Sequence, residues 1–356
     1  MKNFFKAGVP AHCYQKGING NVLFYSQIDR LVYFTIYAVE AKKRGIRTLA
    51  LCLMTDHTHS LLIADSSTQL SLFNRNVEAK YAFAFNKLSR KRGVVFMPYG
   101  HAFKAREKDI RTCIIYIANN PVEKRKFAYA EQDRWTFLAY ADNRAPFSEP
   151  FIARKASTPM KKAIAMVQGA YSRCVPLNHL FLKIMKEKLN PTEWNQFVDM
   201  IISLYMPIDF PAAIRYFGTM NKMLTAIHST TGSEHDLSEE RDTSSETVYL
   251  QMQRKAQAAG YSLFNKDFLS LEGNDYRNLV RLLLSVPEIN PFYLGRFLHQ
   301  PIKVRSDNEI NEKESFSEIS DLQSIMKITP QFLRGHLQYS FIIKELQKTR
   351  HRYSFE

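Results

Sequence analysis

Leu49-Ala-Leu-Cys-Leu-Met-Thr-Asp-His-Thr-His-Ser-Leu-Leu-Ile63 is the stretch on which the reading of this chain turns. Two apolar runs, Leu49 to Met54 and Leu61 to Ile63, flank Thr55-Asp56, which predicts two strands across residues 48–63 joined by a short polar turn. His57 and His59 open the second strand. Side chains alternate faces along a strand, so both imidazoles project from one face. That arrangement suits a shared metal ion. Taken alone, the pattern reads more readily as a polar strand edge, since 10 histidines in 356 residues produce such pairs by chance.

A second stretch, Arg111-Thr-Cys-Ile-Ile-Tyr-Ile-Ala-Asn-Asn-Pro-Val122, reads as a helix over 108–120. Ile110, Cys113, Ile114 and Ile117 form its apolar stripe. At about 100° per residue, Tyr116 and Asn120 both fall roughly 90° from the centre of that stripe. Four residues apart, they are neighbours on one face. Pro121 is expected to end the helix and to draw Asn120 out of helical geometry. Each residue alone reads most simply as structure: Tyr116 as a tyrosine at the edge of the core, Asn120 as a helix cap.

The order of the two stretches carries a resemblance. Met54-Thr-Asp-His57-Thr-His59 followed by Tyr116-Ile-Ala-Asn-Asn120-Pro-Val122 resembles the single-tyrosine HUH transposases, and among them the REP-associated tyrosine transposases. His12-Cys-Tyr-Gln-Lys-Gly17 looks like that family's first strand and Tyr99-Gly-His-Ala-Phe-Lys104 like its fourth. The likeness spans roughly residues 8 to 145. Two departures are visible. Thr58 replaces a hydrophobic residue between the histidines, on the face turned away from them, and Thr55-Asp56 replaces Pro-Asn in the turn. The resemblance implies that His57, His59 and Asn120 bind Mg²⁺ or Mn²⁺ and that Tyr116 is the nucleophile. It further implies single-stranded DNA with a hairpin as substrate, a 5′-phosphotyrosine intermediate and a free 3′-OH.

Charge fits a polyphosphate partner. The chain carries 49 basic and 34 acidic residues, formally +15. Residues 1–150 hold 23 basic against 12 acidic residues, +11, and the remainder +4. The candidate catalytic part is the more basic one. No run of about 18 apolar residues exists, so no membrane span is expected. The first residues lack an apolar core and do not read as a signal peptide. Cys13, Cys52, Cys113 and Cys174 are scattered and form no Cys-x-x-Cys, which predicts buried thiols in a cytoplasmic protein; the resemblance to a DNA-acting family implies that it is nucleoid-associated. The absence of a phosphate-binding Gly-x-x-x-x-Gly-Lys-Ser/Thr loop predicts chemistry without ATP.

In order, the chain predicts a strand at 10–17, a helix at 26–44, the 48–63 hairpin, a helix at 68–89, a strand at 98–106 and the tyrosine helix. This β-α-β-β-α-β-α pattern is α+β, a ferredoxin-like antiparallel sheet with helices on one face. The expected domains are a catalytic region at 1–145, a helical region at 146–228, a flexible Ser/Thr/acid-rich linker at 229–246 and a helical C-terminal region at 247–356. Within the last, residues 276–299 resemble a helix-turn-helix, although a plain helical hairpin fits as readily. DNA contacts are expected from Lys104, from the basic tip Arg90, Lys91 and Arg92, and from Arg281, Arg296, Lys303 and Arg305. Two other functions compete: a domesticated protein that grips DNA hairpins without cutting, and a nuclease that uses water instead of tyrosine. A homodimer, and a tyrosine acting on its own or a partner's histidines, are left open.

Overall fold

Strand β1 (Ala11–Lys16) leads through a 3-10 turn at Ile18–Gly20 into helix α1 (Gln27–Arg44). The hairpin follows as β2 (Arg47–Leu53) and β3 (His57–Ile63), then α2 (Ser67–Ser89), β4 (Gly100–Phe103) and α3 (Glu107–Glu123). The computed structural model describes residues 5–124, 126–229, 245–286, 289–300 and 302. Three strand pairings, all antiparallel, give the order β2-β3-β1-β4, so the histidine strand is central. A bulge between Thr48 and Ala50 shifts the β2–β3 register.

Helix α1 begins where Ser26 and Asp29 form a capping box, and it ends at Gly45, whose φ of 65° favours a residue without a Cβ. Every residue from Ile28 to Ala41 is buried. An amphipathic helix would bury one stripe, but α1 is enclosed on all sides. After α3 come α4 (Thr158–Ser172), α5 (His179–Lys188), α6 (Pro191–Tyr205) and the short α7 (Phe210–Arg215); the sheet and α2 cover one side of α1, and α5 and α6 cover the other.

The sheet separates two apolar cores. Cys13, Leu51, Leu53 and Leu62 pack on the side of α1 and α2. Leu49, Cys52 and Leu61 pack on the opposite side with Cys113, Ile114, Tyr116 and Ile117 of α3. The helices therefore do not all lie on one face: α3 covers the histidine face. Helix α8 (Met220–Ser229) backs it, the Asn119 amide donating to the Ile227 carbonyl at 2.7 Å.

The described residues through Ile302 belong to one compact unit, and the boundary expected at 145/146 falls inside it. Across that position the Tyr140 hydroxyl donates to Asp199 at 2.7 Å, and Arg134 pairs with the same carboxylate at 3.2 Å. Of the expected linker, residues 230–244 lie outside the described residues. Its last residue, Glu246, belongs to helix α9 (Ser245–Ala258) and is buried. Helices α10 (Gly273–Leu284) and α11 (Pro291–Leu298) complete the unit. No helix among the described residues is long and apolar enough to cross a membrane.

Candidate active site

The turn before β3 is held from several directions. Met54 N–H donates to the His57 carbonyl at 2.9 Å, closing the hairpin. Leu23 and Phe24 N–H groups donate to the Thr55 carbonyl at 2.9 and 3.0 Å, and Gly17 N–H to the Asp56 carbonyl at 2.9 Å. From this anchored start His57 and His59 point to one face, their ring centroids 5.0 Å apart. Thr58 points the other way, its hydroxyl 3.3 Å from that of Tyr33 on α1. The register places Tyr14 of β1 opposite His59, and the two rings stack at 4.9 Å.

Helix α3 crosses this face. The Tyr116 ring meets that of His59 edge-on at 5.3 Å and that of His12 at 5.7 Å. One turn later, Asn120 Oδ1 lies 3.3 Å from His57 Nε2. The two stretches, 63 residues apart at this contact, meet in space. The helix does not stop at Asn120 as expected: Pro121 lies within it, and α3 runs to Glu123. A proline this close to the C-terminus removes one N–H bond but leaves its own carbonyl usable. Lys124 N–H closes on the Asn120 carbonyl at 3.1 Å and Lys126 N–H on that of Pro121 at 2.9 Å. Asn120 thus lies within the helix.

Two residues at the site were quoted in the sequence without a role. Asp56 Oδ1 lies 2.5 Å from His57 Nδ1. Burial raises the Asp56 carboxyl, but His57 beside it, with Lys16 and Arg296, more than offsets this and holds it below the ordinary carboxylate value. An ionised Asp56 accepts a hydrogen bond from Nδ1–H, which favours the tautomer whose Nε2 lone pair faces Asn120. His12, at 0 % exposure, places Nε2 3.1 Å from His59 Nδ1. Burial drives His59 well below the ordinary imidazole value, with His57 and Lys124 adding to this and Asp56 opposing it. His59 is therefore neutral at pH 7 and able to donate a lone pair. Adjacency to the histidines, His12 on the neighbouring strand and Asp56 by sequence, is the signal that could have found both.

The donor set fits a divalent cation in its chemistry. Two imidazole rings and the Asn120 amide oxygen, 3.3 Å from His57 Nε2, make up the mixed nitrogen and oxygen donor set that such a cation accepts. Among the described residues no group of three or more His, Cys, Asp or Glu side chains stands ready for a metal, so the set rests on two imidazoles and one amide.

The expected DNA contacts divide. Arg90 and Arg92 are exposed at the end of α2 with Lys91 partly buried between them, and Arg281 is exposed on α10. Lys104 is 1 % exposed, so its ammonium is not presented to a phosphate. Arg296 is stacked over the Phe292 ring at 3.7 Å and wedged against Gly20, where an added Cβ would meet its Nε at 2.6 Å. Lys303 and Arg305 lie outside the described residues. Residues 276–299 do form two helices, but α11 is inserted into the core. Tyr293, Leu294, Phe297 and Leu298 are buried, and Tyr25 Oη donates to the Phe297 carbonyl. A recognition helix has to offer a face to a groove, and the buried face of α11 is committed to packing.

No protein-family model matches the chain, and no curated protein matches it. Among solved structures it is similar to a REP-associated tyrosine transposase bound to a REP hairpin, at 14% identity and a TM-score of 0.34, over 40% of this chain and 83% of that one.

Proposed function

We propose that the protein is a metal-dependent transesterase, a transposase that cuts and rejoins single-stranded DNA at hairpins through Tyr116, on a ferredoxin-like sheet. The observation that supports this reading is the 3.3 Å approach of His57 Nε2 to Asn120 Oδ1 with the Tyr116 ring against His59. Two motifs singled out for different reasons converge on one face of the sheet.

His57, His59 and Asn120 would hold Mg²⁺ or Mn²⁺, which supplies charge stabilisation at the phosphate oxygens. Tyr116 Oη attacks phosphorus and loses its proton. The P–O3′ bond breaks and the 3′ oxygen takes up a proton, leaving a 5′-phosphotyrosine and a free 3′-OH. The linkage conserves the phosphodiester bond, so a 3′-OH can reverse the step and join a strand. Asp56 holds His57 in one tautomer, and His12 orients His59. Exposed basic side chains supply affinity for phosphates.

The test is incubation of the full chain with end-labelled hairpin DNA and Mn²⁺, followed by a denaturing gel. A protein–DNA adduct from the wild type and none from Tyr116→Phe supports the proposal. Equal adduct from both would place the nucleophile on another tyrosine. One observation favours a second reading: Tyr116 is 4 % exposed and Asn120 2 %. A phosphodiester reaches them only if the site opens. A protein that grips hairpins without cutting needs no such opening, and it would shift the DNA on a native gel while forming no adduct.

A further inference from the structure

Helix α9 brings a buried carboxylate to the turn before His57. Glu246, in the first turn of α9, is 1 % exposed. Its Oε2 accepts the Thr55 backbone N–H at 3.0 Å and its Oε1 the Thr55 hydroxyl at 2.6 Å. The same carboxylate faces Arg30 at 3.6 Å and Lys126 at 3.4 Å. Arg30 also donates to the Thr55 hydroxyl at 2.9 Å. A carboxylate with two cations and two hydrogen-bond donors is well compensated, and burial, which alone would raise its pKa, is more than offset.

Thr55 is the residue before Asp56, and Asp56 fixes the His57 ring. A two-residue turn has few internal bonds with which to set its own geometry, and here the carboxylate supplies two from outside. We propose that Glu246 is a positioning residue for His57: through Thr55 it sets the turn from which Asp56 holds the imidazole against Asn120. The inference rests on His57 belonging to the reactive site. It makes α9, rather than the sheet alone, responsible for the geometry of the first histidine.

The experiment uses full-length protein labelled with ¹⁵N-histidine, without metal. Glu246→Gln keeps the shape and removes the charge. Thr55→Val removes only the hydroxyl and leaves the ion pairs with Arg30 and Lys126 in place, so it serves if the first variant folds poorly. Both are expected to shift the His57 ring-nitrogen resonances, and Thr55→Ser is expected to restore them. Asp199→Asn breaks the buried pair with Arg134 elsewhere in the unit and controls for lost stability. It should lower the melting temperature and leave His57 unmoved. His57 resonances unchanged in both Glu246→Gln and Thr55→Val, or moved as far by Asp199→Asn, would overturn the proposal.

A second arm titrates Mn²⁺ by calorimetry. Glu246→Gln should bind about tenfold more weakly than wild type, the usual cost of losing an outer-shell partner. Wild-type protein that binds no Mn²⁺ would defeat the metal reading of the site, while the His57 resonances would still decide the role of Glu246.

Discussion

At the scale of the residue, the site depends on which nitrogen of His57 carries the proton, and that is set by Asp56 at 2.5 Å. Asp56→Asn removes the charge that fixes this tautomer while leaving the turn its polar side chain. Mn²⁺ affinity should then fall about ten- to a hundredfold by calorimetry, with little change in melting temperature; unaltered affinity would remove Asp56 from the site. A different histidine reports on stability. Burial lowers His299 from 6.5 to about 4, opposed by its hydrogen bond to the Val22 carbonyl at 2.8 Å. Between those two values the unfolded chain binds more protons than the folded one, so stability rises with pH across the window and is lost as pH falls through it. The slope is at most about 1.4 kcal/mol per pH unit for one group. Urea unfolding from pH 4 to 7 should show this rise, and His299→Gln should reduce it, leaving the part that His59 and His179, lowered in the same direction, contribute. The residues legible in the sequence, His57, His59, Tyr116 and Asn120, lie two or four apart on one element, where periodicity fixes their common face. The contact of His12 with His59 needs the alignment of β1 on β3, where Tyr14 is opposite His59 and His12 opposite Leu61, and spacing alone does not provide it.

At the scale of the element, the strands and first three helices were legible because each carries its own period and end signals. What periodicity missed is how much of α1 is covered. Leu31, Val32 and Val39 mark one stripe, yet Tyr33, Phe34 and Tyr37 outside it are also buried. The run Leu31-Val-Tyr-Phe-Thr-Ile-Tyr-Ala-Val39 is apolar nearly all round, and that is the mark of an enclosed helix. The end of α2 behaves as expected of a surface tip, with Arg90 at φ 54° and Arg92 exposed. Arg90→Asn, which tolerates that backbone, combined with Arg92→Ala should reduce the log–log salt slope of hairpin binding by up to about two units. Arg296→Ala should leave the slope nearly unchanged and lower the melting temperature, since Arg296 is stacked on Phe292 and wedged against Gly20. The reverse result would return α11 to the DNA-binding surface.

At the scale of the molecule, the separation into a catalytic part and later helical parts was a reading of composition, and composition does not report long-range contacts. Asp29 shows the difference. It caps α1 and also binds His179 at 2.9 Å and Lys266 at 2.6 Å, 150 and 237 residues away. Burial would raise its carboxyl, but Lys266 and His179 bring it down to about 2. Removing residues beyond 150 would strip both partners and expose the apolar back of α1. A chain ending at Pro150 is therefore expected to expose apolar surface, bind a hydrophobic dye and show no cooperative melt, whereas residues 1–302 should melt in a single transition. A sharp transition in the shorter chain would show that the first part stands alone.

The bond between Glu246 and Thr55 has a consequence in time. It joins residues 191 apart in sequence. At roughly 5–20 residues per second, a ribosome needs on the order of 10–40 s to travel that distance. During that interval the strands of the sheet have been made, while the turn before His57 still lacks its outer support. Under the proposed function the nascent chain would thus stay inert until most of its length had been made, and arrested chains released just before and just after α9 should differ sharply in adduct formation.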